Sequence, residues 1–178
     1  MKSYIIEESQ FSHFLLSDTK SSLFWLVVRV YVGWIWLNAG WAKVMNPAWF
    51  GPDAGASLKG FIMGALSKTT GAHPDVQGWY AYFLEHFVLP NVTVWSNFVA
   101  VGELLVGIAL IVGFLTGISA FFGVLMNLNF LLAGTVSINP VLFVLGLGLI
   151  LAWRVSGYIG ADAFVLPHLH SYFRPKRL

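Results

Sequence analysis

Between Ser96 and Phe114 the chain runs SNFVAVGELLVGIALIVGF, an apolar stretch of membrane-spanning length interrupted near its middle by the carboxylate of Glu103. An acidic side chain at the centre of a bilayer helix costs roughly 2.5–3.5 kcal/mol on insertion scales, so it is expected to face other helices and find a partner there. That one charge limits how the remaining segments can be arranged.

The surrounding sequence is of the same character. Of 178 residues, 57% are hydrophobic and 10% charged, and the mean hydropathy is +0.74. Soluble domains carry about 25% charged residues. The composition is that of an integral membrane protein, and no break in it divides residues 1–178 into two domains. The chain has no cysteine. That excludes disulfides, thiolate chemistry, cysteine-ligated iron–sulfur clusters and thioether-attached haem, so redox chemistry here requires an organic cofactor or a partner's centre. The net charge of +2 fits the Lys/Arg bias of membrane loops, and no nucleic-acid partner is expected.

Four spans are expected, at about 23–44, 96–114, 116–133 and 140–155, in an all-α membrane four-helix bundle. The first is long enough for a hydrocarbon core of about 30 Å. The turn Gly113-Phe114-Leu115-Thr116-Gly117 makes spans two and three an antiparallel hairpin, and Gly134 to Pro140 forms the next turn. Residues Met1 to Ser22 lack the basic start and short apolar core of a cleaved signal and are expected to stay attached. With four spans, Lys2, Lys20, Arg154, Arg174, Lys176 and Arg177 share one side against Lys43, Lys59 and Lys68 opposite, which makes both termini cytoplasmic.

The connection from Met45 to Val92 then lies outside the membrane, and it is too apolar for a free loop. Ala56 to Lys68 puts Leu58, Ile62, Ala65 and Leu66 on one face with Lys59 off it, as an interfacial helix does. Trp79, Tyr80, Tyr82, Phe83 and Phe87 fit a second short helix in the aromatic belt, ending before Pro90. Together these two helices form a lid over the outer mouth of the bundle.

On the first span Arg29, Gly33, Trp36, Gly40 and Lys43 are spaced four, three, four and three residues apart and share one helical face. At a rise of about 1.5 Å per residue, Arg29 lies roughly 9 Å from the inner end and Glu103 roughly 15 Å, a gap a long arginine bridges. An Arg29–Glu103 ion pair is therefore expected. Asn127 lies roughly 18 Å from the same end. Asn129 is about 200° away around the helix, so at most one of the two faces the polar centre, and Asn127 is favoured because it shares a small-residue face with Ala120 and Gly123. Lys43 reads equally as a snorkelling anchor or a substrate contact, and Asn38 as a substrate contact or an interhelical hydrogen bonder. No histidine pair has helical metal-ligand spacing, so no metal site is expected. Most tryptophans belong to the belt and to packing, while Trp36 and Trp41 lie near enough to the stripe to stack on a ring. The bland reading of the whole stripe is a helix-register device.

Arg29 with Gly33, then Gly40-Trp41-Ala42-Lys43-Val44, Gly102-Glu103-Leu104-Leu105-Val106-Gly107-Ile108, Gly113-Phe114 and Gly134 to Pro140 resemble the DoxX family of four-helix membrane proteins and its DoxD branch, over roughly residues 22–160. The resemblance implies the membrane subunit of a thiosulfate:quinone oxidoreductase, which couples oxidation of thiosulfate to tetrathionate with quinone reduction. In that setting Glu103 is the expected proton carrier and Arg29 its holder or a hydrogen-bond donor to a quinone oxygen. Asn127 is a second donor, Trp36 and Trp41 flank the ring, and Lys43 receives a sulfur oxyanion, helped by Lys59, His73 or His86. Quinone is the expected electron acceptor. The expected partners are the lipid membrane, a second redox subunit, a sulfur oxyanion and further copies of the chain. A non-catalytic scaffold or assembly factor is the alternative, and a small proton or solute conduit the third reading.

Overall fold

The computed structural model describes residues 9–173, with side chains to residue 168, and it is all-helical among them. Lys2, Arg174, Lys176 and Arg177, used above to orient the chain, lie outside the described residues, as do Glu7 and Glu8 of the N-terminal stretch and the side chain of His170.

Helix α1 (Gln10–Ser17) is capped by Ser9, whose Oγ accepts from the Ser12 N–H at 3.1 Å. It folds back on helix α2 (Ser22–Val44) through a 3₁₀ turn. The carbonyl of Leu15, orphaned at the end of α1, accepts from Trp25 Nε1 at 2.7 Å and from Ser21 Oγ at 3.0 Å. The expected periodicity of α2 holds. Arg29, Gly33, Trp36 and Gly40 are buried together on one face, while Val27, Trp34 and Trp41 on the other are exposed.

Helix α3 (Ala56–Leu66) buries Leu58, Ile62 and Ala65, the face read from its spacing. Helix α4 (Gly78–Phe83) does not stop before Pro90. It continues through a π turn at Leu84–Val88 and a 3₁₀ turn at Leu89–Asn91 into helix α5 (Val92–Val112), a helical rod of 35 residues from Gly78 to Val112. Proline lacks the N–H that an unbroken α ladder needs. The wider turn before Pro90 and the tighter one containing it carry the rod past that gap.

Gly113 ends α5 at φ +74°, and helix α6 (Thr116–Leu132) returns antiparallel, as the turn residues indicate. Gly134, at φ +69°, ends α6, and helix α7 (Asn139–Leu151) starts with Pro140 in its first turn. The fourth apolar segment is therefore shorter than the expected 140–155. It is followed by a one-turn helix α8 (Trp153–Ser156) and by helix α9 (Asp162–Phe173), which was not expected. Pro167 inside α9 and a mixed polar composition conceal it in the sequence.

Helices α2, α5, α6 and α7 contact one another in a cycle. Two of the helical rods, Thr19–Val44 and Gly78–Val112, are long and apolar enough to cross a membrane, whereas α6 and α7 are shorter apolar helices. Large apolar side chains such as Val27, Phe98, Leu105 and Val144 point outward. One core lies among α2, α5, α6 and α7 around Trp36, Leu110 and Leu149, and a second joins the lid to the outer ends of α5 and α6 around Ile62, Tyr80 and Leu84.

Candidate functional site

Three glycines fix the register between α2 and α5. A β-carbon built on Gly40 would lie 2.6 Å from Leu104 Cα and 2.8 Å from the Glu103 carbonyl carbon; one on Gly107 would lie 2.5 Å from Leu37 Cα; one on Gly33 would touch Leu110 and Ile111 at 3.0 Å. No side chain fits at the first two points, so the backbones meet directly there, as small residues permit between membrane helices. This contact places Gly40 beside Glu103, and Gly33 beside the end of α5.

The helices are therefore staggered rather than flush. About ten residues of α2 extend inward past the end of α5, and the first turns of α5 extend outward past the end of α2. Glu103, midway along α5, consequently lies level with the last turn of α2. Its Oε2 accepts from Lys43 Nζ at 2.6 Å, an ion pair in which the Glu103 side chain is 1% exposed and that of Lys43 19%. Lys43 Nζ also lies 5.2 Å from the centre of the Trp49 ring. The loop carrying Trp49 is held down on α5 by Ser96, whose Oγ donates to the Trp49 carbonyl at 2.6 Å, and by Thr93, whose Oγ1 donates to the Ala54 carbonyl at 3.0 Å. Ser96, Ala100, Glu103, Gly107 and Leu110 are all buried on one face of α5.

The expected Arg29–Glu103 ion pair does not form. Arg29 precedes Gly40 by 11 residues, roughly 16 Å along the axis, and Gly33, Leu37, Gly107 and Leu110 pack closely in between. At Gly40 and Gly107 the α2 and α5 backbones leave no room for a side chain. The expected pair requires the inner ends of the two helices to be level, and the stagger sets them apart.

Arg29 is instead fully buried at the inner end, where Nη2 donates to the Ile159 carbonyl at 2.7 Å. Its guanidinium occupies the space where a Gly113 β-carbon would stand, and a β-carbon on Gly160 would come within 2.8 Å of Nη1. Beside it, the N–H groups of Ala161 and Asp162 donate to the Val112 and Gly113 carbonyls at 3.1 and 2.8 Å. Asp162 caps α6, its carboxylate accepting from the Leu115 and Thr116 N–H groups at 2.6 and 2.8 Å. Asp162 and the whole Ile159–Asp162 segment escaped the sequence reading. Gly157 and Gly160 shortly before a lone acid are the available signal.

The other candidates divide. Asn127 is 1% exposed, and neither polar atom of its amide has a partner. Gly102, packed against Met126, sets the α5–α6 register so that Asn127 lies at the depth of Glu103. Trp36 is buried and reaches α6, stacking with Phe130 at a centroid distance of 6.4 Å and lying against Gly123. It fills the core and does not line a slot. Trp41 and Asn38 are not brought to the site. Trp41 is 55% exposed on the outward face of α2, and Asn38, also exposed, donates from Nδ2 to the Trp34 carbonyl of its own helix at 2.7 Å. Of the other candidates in the lid region, Lys59 and His73 are exposed, and His86 stacks on Tyr82.

The Glu103 carboxylate and the Lys43 ammonium are thus in direct contact, the carboxylate buried and the lysine partly exposed. One family model, described as TQO small subunit DoxD, matches residues 24–173. No curated protein and no solved structure matches the chain.

Proposed function

The chain belongs to the DoxD family, and from that membership we propose that it is the membrane subunit of a quinone-linked oxidoreductase, with thiosulfate as the electron donor. Oxidation of two thiosulfates to tetrathionate releases two electrons, and reduction of a quinone to its quinol takes up two electrons and two protons. The observation that supports the reading is the Glu103–Lys43 ion pair, whose carboxylate is buried. Glu103 is the proton carrier, Lys43 holds it and links it to the outer water, and Asn127 offers a free amide at the same depth. Arg29 has a positioning role at the inner end.

In this reading α2, α5, α6 and α7 are the four spans and α3 and α4 the outer lid, in one domain. At about 1.5 Å per residue α6 measures about 26 Å and α7 about 20 Å, and α8 continues α7 towards the headgroups. Lys20 and Arg154, with the basic residues near both chain ends, make the Arg29 end cytoplasmic.

The family description names a small subunit, so a larger partner takes up the sulfur oxyanion chemistry. Trp79, Tyr82 and Phe87, exposed on the lid, favour a second reading in which the chain is a scaffold that docks this partner. One experiment separates the two. In the assembled complex in lipid, Glu103→Gln is expected to lower thiosulfate-dependent quinone reduction by at least about tenfold, because it removes the buried group that carries protons towards the quinone. Unchanged activity of Glu103→Gln, with loss of assembly in Trp79→Ala, is the scaffold's outcome and contradicts the proton-carrier role.

A further inference from the structure

A quinone needs a slot for a flat ring, and the α2–α5 contact offers none, since the backbones touch at Gly40 and Gly107. A cavity of about 250 Å³ lies elsewhere, between the lid and the outer halves of α5 and α6. Its walls are aromatic. Phe61 stands edge-on to Phe130 at 6.0 Å and Phe83 edge-on to Trp95 at 6.2 Å, and all four rings line it. The π turn at Leu84–Val88 forms part of the wall through Leu84 and Val88, a widened turn of a kind that recurs at functional sites.

Two polar side chains enter this apolar space. Tyr80, 4% exposed, places Oη 3.0 Å from the Asn129 carbonyl and 3.1 Å from Asn129 Oδ1. A hydroxyl has one hydrogen, so it serves one of these acceptors at a time and can turn to another. Asn129 Nδ2 gives one hydrogen to the Leu125 carbonyl at 2.8 Å, which leaves its second hydrogen available. The polar end thus presents two neutral donors, suited to a carbonyl oxygen, and no charge suited to a phospholipid headgroup.

The shape beyond the cavity narrows the ligand further. Phe98, Leu125 and Met126 line both this cavity and a groove of about 720 Å³ that follows α5 and α6 inward as far as Leu115 and Ser119. A ring-sized chamber with two donors, sharing three wall residues with a long apolar groove, fits a ring that carries a long hydrocarbon tail. We propose that the quinone ring binds in the cavity beneath the lid, with a carbonyl oxygen at Tyr80 and Asn129, and that its isoprenoid tail lies in the α5–α6 groove. The proposal rests on the quinone-linked reading above and deepens it.

The test is photolabelling of the full protein in lipid with a tailed azidoquinone, followed by peptide mapping and competition with unlabelled quinone. Label is expected on the peptides containing residues 78–99 and 125–130. Tyr80→Phe keeps the ring and is expected to weaken competition by about tenfold, while Val99→Trp, which fills the cavity, removes labelling. A tailless quinone is expected to compete at least about tenfold less well. Label confined to other helices and unchanged by Tyr80→Phe, in a variant whose thermal transition matches the wild type, overturns the cavity and leaves the quinone-linked reading standing. Equal competition by tailless and tailed quinones overturns the groove. No displaceable label anywhere on the chain overturns the quinone-linked reading itself.

Discussion

Lys43→Met is expected to destabilise the protein by about 3–5 kcal/mol, because it leaves the carboxylate of Glu103 buried without its counter-charge. The reciprocal change should cost less. Glu103→Gln leaves an ammonium on a flexible stem at the end of α2, already 19% exposed, and such a stem can carry its charge to the interface. The double variant Lys43→Met with Glu103→Gln is expected to recover most of the loss, since a neutral amide beside an apolar chain has no charge to leave stranded. Thermal unfolding of the three variants in one detergent checks the order. A Glu103→Gln loss larger than that of Lys43→Met would mean that Glu103 depends on other partners.

Gly113→Ala has the second large effect, for a different reason. The residue sits at φ +74°, where a β-carbon costs about 1–2 kcal/mol, and that carbon would fall on the Arg29 guanidinium. Overpacking of this kind adds about 1–3 kcal/mol, so the expected total is about 2–5 kcal/mol. The two contributions separate in an Arg29→Ala background, where the space is empty and Gly113→Ala should cost only the backbone share. The same cost in both backgrounds, measured as the shift in thermal midpoint, would contradict the placement of Arg29 beneath the end of α5.

Much of this arrangement is legible in the residues alone. Helical spacing correctly groups Arg29, Gly33, Trp36 and Gly40 on the buried face of α2 and places Leu58, Ile62 and Ala65 on that of α3. It also favours Asn127 over Asn129 for the interior, and Asn127 is buried at the depth of Glu103. Periodicity, however, fixes only the angle around an axis. How far one helix slides along another depends on where backbones can touch. Here that is set by Gly40 against Leu104 and Gly107 against Leu37, contacts between segments more than 60 residues apart. The partner of Glu103 was misread for that reason. Trp41 was misread for a simpler one, since one residue beyond Gly40 turns it about 100° off the shared face. The inner end was hidden because its hydrogen bonds run between loop backbone and single side chains, Arg29 to Ile159 and Asp162 to Leu115 and Thr116, which leave no periodic trace.

The central claim is that Glu103 is held by Lys43 at the outer end of α2 and is separated from Arg29 by closely packed backbone. Two double-mutant cycles measured by unfolding test it, one combining Glu103→Gln with Lys43→Met and the other combining Glu103→Gln with Arg29→Met. The first is expected to show a coupling of about 2–3 kcal/mol, within the range for groups in direct contact, and the second to be additive to within about 0.5 kcal/mol. Strong coupling of Glu103 to Arg29, with additivity at Lys43, would contradict the register of the two helices and the site built on it.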